Sequence, residues 1–377
     1  MIETEAVVAS ETMRITCSRD ELTAKLAVVA RAVSTRTAVQ ILGGVLLSAD
    51  DGSVSLAATD MELSLRASLE AQVEGSGAVV VPGRLLVDLA RLLPASEVTI
   101  EQRAKEGVVH LSSGSYESRL NTYTAEDFPR LLDVESVERH EIDRGALLET
   151  IARVGRSASR DESRPVLTGV LVRFEPGKLV MAATDSYRLS VKETPLSGSL
   201  PALEAIVPAR ALSELSRIAQ GAERVELGVH ENQVVFGIDG TWLTTRRIDG
   251  QFPNPHQLVP ESFEHEVGLP REELLEVVRR IAVMAQRNSP LRLAFREGEL
   301  SVAARTQDVG EAKETLPAPF AGEPFEIGFN AEFLREGIES VTGDSVRMKL
   351  ISPLRPCVLQ GESGDFVYLI MPIRLAG

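Results

Sequence analysis

A chain of 377 residues exceeds one ordinary core and suits two or three domains of roughly 100 to 200 residues each. Its 44% apolar and 25% charged side chains exclude disordered and fibrous classes, and 4% aromatic content requires an aliphatic core. A formal net charge of −15 argues, over the whole chain, against a nucleic-acid partner, and the two cysteines, Cys17 and Cys357, are too few for a disulfide framework.

The opening residues, MIETEAVVASET, are acidic where a signal peptide would be basic, and residues 1–12 are expected to form a poorly ordered extension. With no run of 18 or more apolar residues, and with few cysteines, the expected location is the cytoplasm. A short strand at Met13–Thr16 leads into a helix that Ser18 and Glu21 open as a capping box. Val45–Leu47 and Val54–Leu56, parted by Asp51-Gly52, read as a hairpin. Val79–Val81 is a strand feeding a second helix at Pro82-Gly83-Arg84, and Asp127-Phe128-Pro129 closes the unit.

The same grammar then recurs. His140–Asp143 precedes a helix through Leu147, Ala205–Val207 precedes a helix at Pro208-Ala209-Arg210, and Gln251-Phe252-Pro253 closes. A third round runs from His265–Val267 through the helical Glu273–Val278 and then from Phe325–Phe329 into a helix opened by Asn330. It ends in an apolar stretch, Phe366 to Leu375, that contains a proline turn.

Residues 42–67 and 167–192 align without a gap at an offset of 125 and share nine identities, among them Gly52 with Gly177 and AATD at 57–60 with AATD at 182–185. Gly298 to Ala304 repeats the pattern once more. Self-similarity at a fixed long period means one unit was copied. The expected organisation is three α+β domains, at 13–138, 139–262 and 263–377, each with two helices packed on antiparallel sheets.

Catalytic spacing is sparse. The histidines His110, His140, His230, His256 and His265 form no HExxH, no cysteine has a CxxC partner, and no phosphate loop, GxGxxG or GxSxG occurs. No cofactor, metal or catalytic residue is expected. Asp60 and Asp185, repeated at equivalent places, read as turn groups rather than acid/base groups. A small-molecule enzyme with a cleft between repeats and one of these aspartates as base is the rival of a different class.

Charge is segregated. The six expected helices carry 18 basic and 14 acidic side chains, a net of +4 against −15 overall, which leaves −19 elsewhere. Arg36, Arg84, Arg91, Arg153, Arg156, Arg160, Arg164, Arg210, Arg217, Arg279, Arg280 and Arg287 make up most of that basic set and have few aromatic neighbours. Arginine without stacking rings suits sequence-independent contact with duplex phosphates better than single-strand binding; ordinary solvated helix faces are the plain alternative.

These features together resemble the bacterial DNA polymerase III β subunits, the replicative sliding clamps. The likeness rests on the three-copy layout, AATDSYRLSV at 182–191, the VPxR helix starts at Arg84 and Arg210, DGQFPN at 249–254, EIGFN at 326–330 and YLIMPIRL at 368–375, the last closest to actinobacterial members. The resemblance implies a non-catalytic processivity factor: a head-to-tail homodimeric ring around duplex DNA, lined by helices. It implies DNA contacts at Arg36, Arg84 and near Arg164, and a subunit interface joining Ser118-Arg119-Leu120 to Ala282-Val283. It also implies a pocket for linear peptides of the polymerase and clamp loader, formed by Leu167, Thr184, Ser186, Tyr187, Arg188, Leu189, Pro253, Leu258, Leu369, Met371, Pro372, Ile373 and Arg374. Arg188 and Arg374 are expected to meet peptide backbone or acidic groups. Some family members have Gly-His where this chain has Ser186-Tyr187 and a basic residue in place of Gln257, which leaves open a specialised or inhibitor-resistant clamp paralogue.

Overall fold

The computed structural model describes residues 13–34, 39–50, 52–103, 106–197, 203–285, 289–306 and 310–375. The expected extension at 1–12, together with Arg36 and Arg287, lies outside them.

The six long helices among the described residues each start where a strand ends. Ser18 closes the strand Arg14–Ser18, and its Oγ accepts from the Asp20 and Glu21 amides to open the helix Arg19–Val29. Asp143 Oδ1 accepts from the Ala146 amide ahead of Arg144–Val154, and Asn330 Oδ1 from the Phe333 amide ahead of Ala331–Ser340. Each cap satisfies amides that the first helical turn leaves unpartnered. The helices Gly83–Leu92, Ala209–Ile218 and Arg271–Ala282 follow strands ending in Pro82, Pro208 and Pro270.

The chain divides into two compact units that do not follow the three copies. One takes in the chain up to Ile142 together with Arg217–Arg246, the other Asp143–Ser216 together with the chain from Arg247 on. Strand pairing between copies is the reason. In the first unit, Thr241–Arg246 pairs antiparallel with Leu63–Leu69, so an eight-stranded sheet draws on copies one and two. In the second, Arg188–Pro195 pairs antiparallel with Phe366–Ile370 and joins copies two and three in another eight-stranded sheet. A five-stranded sheet ending at the edge strand Tyr116–Asn121 completes the first unit, and a four-stranded sheet ending at Gly310–Pro317 the second.

One backbone bridge recurs in every copy. Val80 and Tyr123 exchange two hydrogen bonds, Ile248 N–H donates to Ile206 O at 2.8 Å, and Ile373 N–H donates to Gly328 O at 2.7 Å. Each ties the strand before a copy's second helix to that copy's closing segment.

Strand alternation divides the core of the second unit. Phe366, Tyr368 and Ile370 join a cluster with Leu274, Val278, Leu334 and Ile338, beneath the helices Arg271–Ala282 and Ala331–Ser340. Leu369 points the other way, into a cluster with Leu189, Val191, Ile206 and Phe252, against which Val259 and Val367 pack. No helix among the described residues is long and apolar enough to cross a membrane.

Candidate functional site

The AATD segments end in the same turn twice. Asp60 Oδ1 accepts from the Glu62 and Leu63 amides, and Asp185 Oδ1 from the Tyr187 and Arg188 amides, all between 2.9 and 3.1 Å. Thr59 and Thr184 use their hydroxyls alike: each donates to the carbonyl four residues on, Leu63 or Arg188, and accepts from the amide two residues on, Met61 or Ser186. Met61 and Ser186 sit at φ 78° in both turns, a left-handed conformation that non-glycine residues rarely adopt. Both carboxylates build turns that hold a strained residue in place.

The second copy's turn is where the candidate peptide residues gather. Thr184 stands opposite Leu189, and Leu189 opposite Leu369, in adjacent antiparallel ladders, and Met371 N–H donates to Tyr187 O at 2.8 Å. Leu189 and Leu369 are buried, with Phe252 in the same cluster, so that cluster underlies the site while its neighbours reach the surface. Tyr187 is 62% exposed, Leu258 45%, Met371 39% and Ile373 37%, placing four of the candidates among the large apolar side chains left in solvent. Pro253 and Leu258 are exposed beside Phe252 and Val259, which pack in the same cluster. Leu167 is half-buried in the short helix Pro165–Thr168, Pro372 is half-buried, and Arg374 is exposed. Exposed apolar groups including a thioether make a surface that can adapt to more than one partner.

Arg188 differs from these exposed candidates in its burial. Alternation along Arg188–Pro195 sends it to the face opposite Leu189, where it is 8% exposed. Its Nε donates to Asp185 Oδ2 at 3.1 Å, Nη1 to Glu336 Oε2 and Nη2 to the Arg156 carbonyl at 2.6 Å, and its guanidinium lies 4.2 Å from the centre of the Phe333 ring. Its donors are turned inward, toward Asp185, Glu336 and the Arg156 carbonyl. Beside it Tyr368 donates to Phe333 O, and burial pushes its phenol above the ordinary value, opposed by Arg188. Glu336 and Phe333 were missed by the sequence reading; no local signal marks a helix residue that partners a strand arginine 148 positions away.

The helix arginines divide in the same manner. Arg84 and Arg91 are exposed on Gly83–Leu92, as are Arg210 and Arg217 on Ala209–Ile218, while Arg160 is exposed beyond the end of Arg144–Val154, outside any helix. Arg156 pairs with Glu339 at 3.0 Å, Arg279 with Glu276 and Glu339, and Arg280 with Glu314 at 2.7 Å. The hydrogen bond from Arg280 holds the Glu314 carboxyl below its ordinary value against a smaller effect of burial. Arg164 Nη1 donates to Ser186 Oγ at 2.9 Å while Nε pairs with Asp161, so a candidate DNA contact touches the candidate peptide turn. Arg153 departs from the set. Its side chain is only 11% exposed, paired with Glu149 at 2.5 Å and set over the Phe366 ring. Of the expected interface residues, Leu120 is buried in its edge strand and Val283 is 83% exposed.

Among the described residues no cluster of three or more histidine, cysteine or acidic groups is arranged to hold a metal. Three copies of a two-helix, sheet-backed unit, carrying exposed arginines and an apolar patch, define a repeat-built binding protein. The chain matches the DNA polymerase III beta subunit along its length: the N-terminal domain at 13–133, the central domain at 141–254 and the C-terminal domain at 256–374. It is 38% identical to the beta sliding clamp of Synechococcus elongatus, over 96% of this chain and 100% of that one. With the beta sliding clamp of Streptomyces coelicolor it shares 32% identity, over 97% and 100% of the two chains. The crystal structure of the Bacillus subtilis DNA polymerase sliding clamp superposes with a TM-score of 0.92 at 26% identity, covering 97% of this chain and 100% of that one. The chain therefore belongs to the DNA polymerase III beta subunit family.

Proposed function

We propose that the chain works as a sliding clamp, a non-catalytic processivity factor of the cytoplasm. Two copies close head to tail into a ring, duplex DNA passes through it, and polymerase and clamp loader are tethered by short peptides seated on the Tyr187–Leu258–Met371–Ile373 surface. The threefold repeat, matched along its length by sliding-clamp relatives, carries this reading. The charge pattern supports it physically. Exposed arginine–glutamate pairs are weak because solvent screens them, so Arg156, Arg279 and Arg280 exchange glutamate for phosphate at little cost. Such contacts hold DNA without fixing its position, and heterologous interfaces that close on themselves are how rings form.

The test loads the protein with a clamp loader onto nicked circular DNA and onto linear DNA of the same sequence. Retention on the circle through a high-salt wash, with loss from the linear form, is the expected result. Equal loss from both would remove the topological reading.

A further inference from the structure

We propose that Gly328 is a positioning residue for the peptide site: its missing side chain seats Leu375 and so fixes the Met371–Arg374 segment beside Tyr187. The inference rests on the peptide reading of that surface. Gly328 is the fourth of the five residues of the strand Phe325–Phe329, opposite Arg292, without the positive φ that would call for glycine. Glycine weakens a strand interior and commonly marks a place where another chain segment approaches closely.

The repeat supplies an internal control. The bridge itself does not require glycine, because Val80 and Ile206 occupy the same bridged position in copies one and two. In those copies the glycine stands on the adjacent strand: a Cβ on Gly44 would fall 2.3 Å from Val80 Cγ1, and one on Gly169 2.4 Å from Ile206 Cγ2. In copy three the arrangement is reversed. A Cβ on Gly328 would lie 2.6 Å from Leu375 Cδ2, 3.1 Å from Leu375 Cγ and 2.8 Å from the Ile373 carbonyl oxygen. The space that a side chain of the strand fills in copies one and two is filled in copy three by a side chain of the closing segment. That segment also carries Met371, whose amide is bonded to Tyr187 O, and Ile373, whose amide is bonded to Gly328 O. Two backbone bonds and one seated leucine thus hold the four residues that supply half of the candidate surface's exposed apolar groups.

The test compares the full-length wild-type protein with Gly328→Ala, Leu375→Ala and the double variant. Two readouts are used: hydrogen exchange of the Ile373 amide, and affinity for a fluorescein-labelled peptide from the host's replicative polymerase selected for binding the wild type. Gly328→Ala should exchange Ile373 at least tenfold faster and bind at least tenfold more weakly, while the Ile248 amide, in the equivalent bridge of copy two, keeps its protection. Leu375→Ala, which removes atoms and adds none, should weaken binding severalfold, and adding it to Gly328→Ala should recover part of the Ile373 protection. Unchanged exchange at Ile373, or faster exchange with unchanged affinity, would overturn the proposal. If no polymerase peptide binds the wild type, the peptide reading fails instead, and the exchange of Ile373 still decides whether Gly328 seats the segment.

Discussion

The Lys192 ammonium, almost wholly buried, lies 2.6 Å from the Asp365 carboxylate, joining the strand Arg188–Pro195 of copy two to the start of Phe366–Ile370 of copy three. Glu149, at 4.0 Å, is the only other acid paired with that ammonium among the described residues. Removing Asp365 therefore strands a buried charge, which costs about 3–5 kcal/mol, whereas replacing both partners by apolar groups of similar size is often close to neutral. Asp365→Leu should lower the denaturant midpoint sharply, and Lys192→Met with Asp365→Leu should restore most of it.

The same pair sets an acid limb. Burial raises the Asp365 carboxyl, but hydrogen bonds from Lys192 and Ser363 outweigh it and leave the group below its ordinary value. A carboxyl depressed in the folded state contributes stability above its unfolded value, about 3.9, and loses it as pH falls through the lower folded value. Wild-type stability should therefore fall more steeply below about pH 4 than that of Asp365→Asn, which should be weaker at pH 7 and flatter in acid. Equal slopes in urea titrations across that range would refute the linkage.

The two AATD turns give a matched comparison. Asp60→Ala loses two amide partners, at about 1 kcal/mol net per hydrogen bond. Asp185→Ala loses the equivalent two and also a charge partner of the buried Arg188. The second substitution should cost roughly 2 kcal/mol more by equilibrium unfolding, following the larger penalty for hydrogen bonds to charged groups. Equal costs would mean that Glu336 alone suffices for Arg188.

The repeat, the helices and the hairpins were legible because each is written locally, in caps, glycine turns and an offset of 125. The faces of a strand were legible in principle: Arg188 and Leu189, neighbours in the candidate peptide set, point to opposite sides of theirs, one toward Glu336 and the other into the cluster with Leu369. Arg153 shows what a sequence leaves out: a helix arginine reads as basic surface until its distance to Glu149 and Phe366 is known. The pairing of strands across copies, which makes two compact units from three repeats, depends on contacts between residues such as Trp242 and Arg66, and no periodicity announces those.

Within the candidate peptide set, exposed and buried members should separate. Tyr187→Ala and Met371→Ala remove groups that meet solvent, so peptide affinity should fall on the order of tenfold or more with little change in unfolding midpoint. Leu189→Ala empties part of a core cluster and should cost about 2–5 kcal/mol of stability. A Tyr187 variant that binds peptide as the wild type does would remove that residue from the site.

The helix arginines should separate by the same logic, and salt is the readout. A phosphate contact releases about one counterion, so losing it lowers the slope of log affinity against log salt by about one. Arg84→Ala and Arg91→Ala, each removing an exposed guanidinium on Gly83–Leu92, should weaken duplex DNA binding alike on unrelated sequences and flatten that slope. Arg153→Ala should leave the slope unchanged, because its guanidinium is committed to Glu149 and the Phe366 ring, and should instead lower stability. Titrations of DNA binding between about 50 and 200 mM salt distinguish these outcomes, and a flattened slope in Arg153→Ala would return that residue to the DNA-facing set.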